Sequence, residues 1–155
     1  MKRIGLISDT HGLLRPQALA FLQGCAHIVH AGDICDGRIL RTLAGIAPLT
    51  AVRGNNDHGA WAEALQDIER VTIDGVTILA IHDLAQLRVG PSHGPVGVVV
   101  SGHSHRPHVE RREGVLYVNP GSAGPRRFTL PIAIGELTIA AGVCTARRVE
   151  LDDAR

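Results

Sequence analysis

Aromatic residues make up only 3% of the sequence, too few for a platform on which single-stranded nucleic acid could stack. Charge of one sign is also lacking. Sixteen basic side chains against 15 acidic ones leave a formal charge of +1, which gives no broad field to recruit a polyanion or an anionic membrane. Nucleic acid and membrane are therefore not expected as partners, and any attraction for phosphate has to be local. Cysteine is scarce: Cys25, Cys35 and Cys144 are odd in number and form no C-x-x-C pair, which argues against a disulfide framework or a thiolate metal site and fits a reducing compartment. No stretch approaches the roughly 20 apolar residues of a membrane helix. The start, Met1-Lys2-Arg3 and a brief apolar run that meets Asp9, is too short and polar for a secretory signal. A cytoplasmic protein is expected.

What the sequence does have is glycine and proline, 18 and 8 in 155 residues of which 45% are apolar, a balance that predicts a turn-rich globular protein rather than a helical bundle. The length suits one domain over residues 1–155. Residues 3–8 form a short apolar run, and residues 15–24 follow with helical spacing, Pro16 near the start and Gly24 at the end. The pattern recurs as a strand over 26–32 and a helix over 36–45, and 48–54 supplies a third strand, so two β-α-β units predict a parallel sheet. Asp74-Gly75 between two β-rich runs of 71–82 signals a tight hairpin, after which antiparallel strands are expected. A buried strand over 96–103 and strand-turn-strand units over 108–119 and 132–151 complete the reading.

Reactive groups in open α/β sheets gather beyond the carboxyl ends of strands. Here Asp9 and His11 follow the first strand, Asp33 the second, and Asn55 and Asp57 the third. His82 ends the hairpin strand, and His103 and His105 follow the next. Carboxylate oxygen with imidazole nitrogen suits manganese, iron, zinc or nickel rather than an all-oxygen magnesium or calcium site. Asp-x-His and His-x-His can each set two side chains on one side of a strand-end loop.

The order and spacing of SDTHG at 8–12, AGDICD at 31–36, VRGNND at 52–57, IH at 81–82 and SGHSH at 101–105 resemble the calcineurin-like metallophosphoesterases. The short chain, the VRGN-x-D string and NPGS at 119–122 look most like the small bacterial and archaeal phosphodiesterase branch, which also includes a eukaryotic sorting-complex subunit. The resemblance runs from about residue 4 to about residue 127. It implies an α/β fold in which a β-sandwich of two mixed sheets is flanked by helices. It also implies that Asp9, His11 and His105 hold one metal, that Asn55, His82 and His103 hold another, and that Asp33 bridges them. The two divalent ions expected are manganese first, with iron, zinc and nickel as alternatives. The implied nucleophile is a metal-bound hydroxide, not a side chain.

Two departures from the family stand out. Asn56 occupies the place of a histidine that larger members use to stabilise the transition state or protonate the leaving group, so aryl esters are the expected substrates. His82-Asp83-Leu84 stands where the branch commonly reads His-Gly-His, and the stretch from Asp83 to Gly94 is expected to shape the pocket differently.

Other residues divide between structure and chemistry. His27 and His30, in or beside the second strand, read as buried hydrogen-bonding groups. His58 and His108 lie near motif residues and are candidates for orienting substrate. Asn56 and Arg127 are the expected substrate contacts, a guanidinium fork suiting phosphate oxygens. Asn119, Pro120, Gly121 and Ser122 read as a turn beneath the metals, and Asp57 as a residue that fixes its loop or orients a ligand. A small phosphate ester, a diester before a monoester, is the expected substrate. The competing readings are a non-catalytic interaction module of the same fold and, less favoured, a nuclease. A homodimer is one assembly open to the chain, on the general ground that small enzymes often form symmetric pairs, and the sequence does not derive the oligomeric state.

Overall fold

The computed structural model describes residues 1–88 and 96–151. Five strands build the first sheet, in the order β10-β9-β1-β2-β3. At its centre β1 (Lys2–Ile7), β2 (His27–His30) and β3 (Leu49–Ala51) run parallel, as the two β-α-β units predict. The hairpin of β9 (Ala133–Ala140) and β10 (Val143–Glu150) then returns to pair antiparallel with β1, Gly5 opposite Glu136, which makes the sheet mixed.

The second sheet has the order β4-β5-β6-β8-β7. The turn at Asp74 and Gly75, both at positive φ, joins β4 (Ile68–Ile73) to β5 (Val76–Ile81) as expected of a tight hairpin. The expected antiparallel pairing holds there and between β7 (His108–Arg112) and β8 (Val115–Asn119). It does not hold at the sheet centre, where β5, β6 (Val98–Val100) and β8 are parallel neighbours. The chain between β5 and β6 is long enough to cross back, and sequence adjacency does not reveal that crossover.

Alternation along each strand separates two faces. Ile4, Leu6, Val29, Leu137 and Ile139 of the first sheet meet Ile78, Ala80, Val98, Val100 and Val118 of the second, and these side chains form the core between the sheets. Ile7, Ile28 and Ile134 point to the opposite face of the first sheet, where they bury Ala18 and Leu22 of α1 (Pro16–Leu22) and Ile39 and Leu43 of α2 (Gly37–Ala44). Each helix offers an i, i+4 apolar pair. Pro16 sits in the first turn of α1, and Asp36 caps α2 by accepting the Arg38 N–H at 2.9 Å. On the outer face of the second sheet Leu79, Ile81 and Val99 pack with Val115 and Tyr117 of the same sheet and with Leu84, in a 3-10 turn, and Leu87.

One further helix, α3 (Ala60–Glu63), lies outside the sequence reading because four residues are too few to express a period. Its Trp61 joins the helix-side cluster. Among the described residues no helix is long and apolar enough to cross a membrane.

Candidate metal centre

The loops leaving β1, β2, β3, β5 and β6 meet at one edge of the sandwich, and all seven expected ligand residues lie on them. Asp9 is fully buried. Its Oδ2 accepts the Ser8 hydroxyl at 2.7 Å and the His103 backbone N–H at 3.1 Å, which turns Oδ1 toward the imidazole Nε2 atoms of His105 at 3.3 Å and His11 at 3.6 Å. Among the described residues Oδ1 has no hydrogen-bond partner of its own. Burial pushes the Asp9 carboxyl up, but the His105 and His11 imidazoles and the Ser8 hydroxyl outweigh it and hold the group well below the usual carboxylate range.

Asp33 is held as firmly. Its Oδ1 accepts the Asn56 backbone N–H and its Oδ2 the Asn56 side-chain amide, both at 2.9 Å. The same Oδ2 stands 3.7 Å from His11 Nε2 and 3.4 Å from His82 Nε2. Burial raises this carboxyl too, and hydrogen bonds from His82 and Asn56 bring it down to about 2.

His82 donates its Nδ1–H to the Ala31 carbonyl at 2.7 Å, so the neutral ring turns an Nε2 lone pair toward Asp33 Oδ2 and, at 3.0 Å, Asn55 Oδ1. Lone pairs facing one another call for a cation between them, either a proton or a metal. In the protein alone, burial lowers the His82 pKa, but Asp33 and Asp9 outweigh it and the net shift is upward. His103 Nδ1 stands 3.2 Å from the same Asn55 oxygen.

The donor set therefore fits transition-metal ions. The ligand atoms of Asp9, His11 and His105 lie within 4.8 Å of one another, as do those of Asp9, Asp33 and His82. Asp9, His11, Asp33, His103 and His105 all have positive φ, between 46° and 71°, a region that asparagine, aspartate and histidine tolerate better than most. Strain of this kind gathers where a loop is bent to aim side chains.

Close approach dictates two glycines. A Cβ at Gly54 would collide with the Asp33 carboxylate, and one at Gly102 would meet Asp9 Oδ2 at 2.5 Å, so neither loop could close on its aspartate with a larger residue.

The remaining residues singled out from sequence divide clearly. The buried Asp57 carboxylate fixes loops and touches no ligand histidine: it accepts the backbone N–H groups of Asp33 at 3.0 Å, Cys35 at 2.8 Å and Gly54 at 2.8 Å. Asn119 donates to the Gly102 carbonyl at 3.0 Å and the Ser122 hydroxyl to the Asp9 carbonyl at 2.9 Å, so the NPGS string braces both metal-facing loops as well as turning the chain. Asn56, expected at the substrate, has its amide on Asp33. Arg127 is exposed on the loop that precedes residue 130.

His30 is buried, accepts the Gly32 N–H on Nδ1 at 3.1 Å, and lies 3.1 Å from the Thr10 hydroxyl. His27 meets Thr50 at 2.7 Å. Both are structural, as their place on β2 suggests. His108 pairs with Glu110 on the exposed β7, and His58 is exposed. Cys35, which in the sequence counts only as evidence against a thiolate metal site, lies 3.6 Å from His11 Nδ1; burial and the surrounding aspartates push its thiol up to about 11. Of the stretch from Asp83 to Gly94, residues 89–94 lie outside the described residues, whereas Asp83 caps the 3-10 turn.

A family model described as the calcineurin-like phosphoesterase superfamily domain matches residues 1–142. A probable metallophosphoesterase of Methanothermobacter thermautotrophicus is 36% identical over 140 residues, which span 83% of this chain and 81% of that protein. Among solved structures, an archaeal phosphodiesterase superposes with a TM-score of 0.79 at 26% identity over 96% of this chain and 99% of the other. Vps29 of Chaetomium thermophilum superposes with a TM-score of 0.77 at 19% identity, with 97% of each chain covered, a likeness of fold.

Proposed function

The chain belongs to the calcineurin-like phosphoesterase superfamily, and on that premise we propose that it hydrolyses a small phosphodiester with the help of two divalent transition-metal ions. The observation that carries the reading is the place of Asp33, whose Oδ2 lies between His11 Nε2 at 3.7 Å and His82 Nε2 at 3.4 Å. In this reading Asp33 is shared, Asp9, His11 and His105 complete one site, and Asn55, His82 and His103 complete the other. Manganese is the proposed ion, ahead of iron, zinc and nickel. A diester is favoured because the archaeal structure that aligns along almost its whole length is described as a phosphodiesterase.

Such ions, when bound, lower the pKa of water toward neutrality and withdraw charge from phosphoryl oxygens. The chain's own part is positional. Asn56 holds both oxygens of Asp33, His103 fixes Asp9 through its backbone N–H, and Ala31 keeps the His82 proton on Nδ1. Hydrolysis joins a water oxygen to phosphorus and breaks the bond to the leaving oxygen, which keeps the electron pair, while the water proton passes to solvent. Asn56 cannot deliver a proton to that oxygen, so esters with aryl leaving groups are the preferred class.

Metal-stripped protein supplied again with manganese is expected to cleave bis(4-nitrophenyl) phosphate faster than 4-nitrophenyl phosphate. Asp33→Asn is expected to lose about a thousandfold in turnover, several kcal/mol of transition-state stabilisation. No manganese-dependent turnover with both ions bound would move the reading to an interaction module of the same fold.

A further inference from the structure

Two cavities flank His103, and their walls differ in charge. One, of about 690 Å³, lies beside Asn55 and His82 and sets Asp57, Asp67 and Asp83 against Arg53, whose guanidinium is already held by Asp67 at 2.9 Å. It repels anions. The other, of about 510 Å³, lies between the loop joining β6 to β7 and residues 130–131, and among its described residues Arg106 and Arg148 face a single carboxylate, that of Asp83.

The second cavity has the features of an anion subsite. Arg148 Nη1 lies 3.5 Å from the Pro107 carbonyl, which brings its guanidinium against the loop that carries Arg106. No hydrogen bond or ion pair occupies the Arg106 guanidinium among the described residues. Arg106 and Arg148 are both exposed at the cavity, whose wall also carries Leu84, Tyr117 and Pro131. Gly102 and His103 form the wall nearest the metal centre, and the His103 backbone N–H reaches Asp9 Oδ2 at 3.1 Å. The cavity thus opens beside His103, a ligand residue of the candidate centre.

We propose that this cavity receives the leaving half of the substrate, and that Arg106 and Arg148 bind a second phosphate on it. The preferred substrates are then phosphodiesters whose leaving alcohol itself carries a phosphate, a group whose oxygens a guanidinium fork matches. This inference rests on the phosphodiesterase reading above.

Two measurements on the full chain test it. In the first, manganese-loaded protein is given two methyl aryl phosphodiesters that differ only by a phosphonomethyl substituent on the aryl group. Wild type is expected to favour the substituted ester in kcat/KM by about tenfold, the worth of one or two charge-assisted hydrogen bonds. The preference should fall toward unity in Arg106→Ala and Arg148→Ala; the same ratio in wild type and variants overturns the subsite.

The second measurement needs no turnover. Phenylphosphonate is titrated into ¹⁵N-labelled protein and the side-chain Nε–H signals of Arg106 and Arg148 are followed. Saturable shifts of both, even if neither ester is cleaved, support the subsite while the esterase reading falls. No shift, even in protein that cleaves the esters, overturns the subsite and leaves the esterase reading standing.

Discussion

Two histidines near Asp33 in space show how single positions shift the same group in opposite directions. His30 closes β2, fully buried, with Nδ1 accepting the Gly32 N–H and Nε2 against the Thr10 hydroxyl, so the ring has no place for a second proton; burial lowers its pKa to about 4. His82 stands at a strand end among carboxylates and shifts upward. The sequence marked His30 as a buried hydrogen-bonding group and His82 as a ligand candidate, but the opposite shifts come from their partners, which only the structure shows. The contribution of His30 to stability follows from the sign of its shift. Above pH 6.5 the ring is neutral in both folded and unfolded chains, and its contribution is fully present. As pH falls from 6.5 toward 4 the unfolded chain takes up a proton that the folded one refuses, so stability is lost. Between pH 7.5 and pH 5 the loss traceable to His30 is about 2 kcal/mol. Urea unfolding of metal-stripped wild type and His30→Gln at both pH values checks it, and equal losses in the two proteins would contradict the assignment.

Among the elements, the strands and the two main helices were readable because each expresses a period or a turn signal over six or more residues of context. The four-residue α3 and the 3-10 turn at Leu84–Gln86 express neither. Their loops were readable only in part. The motif strings brought the ligand candidates to strand ends, but nothing in the sequence tells that Asp57 ties the loop after β2 to the loop after β3 through three backbone N–H groups. Removing that carboxylate leaves buried donors unpaired in both loops. Asp57→Ala is therefore expected to cost roughly 3 kcal/mol in unfolding free energy. It should also weaken manganese binding by about tenfold or more, although Asp57 is not in the ligand set. Denaturant unfolding and calorimetric titration measure the two effects, and unchanged manganese affinity would show that the loops hold their shape without the clamp.

At the scale of the whole molecule, the candidate centre belongs to neither sheet alone. Asp9, Asp33 and Asn55 leave strands of the first sheet, and His82, His103 and His105 leave strands of the second, so the apolar core between Leu6, Val29, Ile78 and Val100 sets the distance between the two halves of the site. The sequence made the residues of both halves visible, but not which strands share a sheet, because that depends on crossovers between segments far apart in the chain. β9 next to β1, and β6 between β5 and β8, are pairings of that kind. The central claim is that the two halves close around two cations shared by Asp33. The most direct test is anomalous scattering at the manganese edge from crystals of the manganese-loaded protein. The account predicts two peaks, one ringed by Asp9, His11 and His105 and one by Asn55, His82 and His103, with Asp33 touching both; a single peak, or two that do not share Asp33, would contradict it.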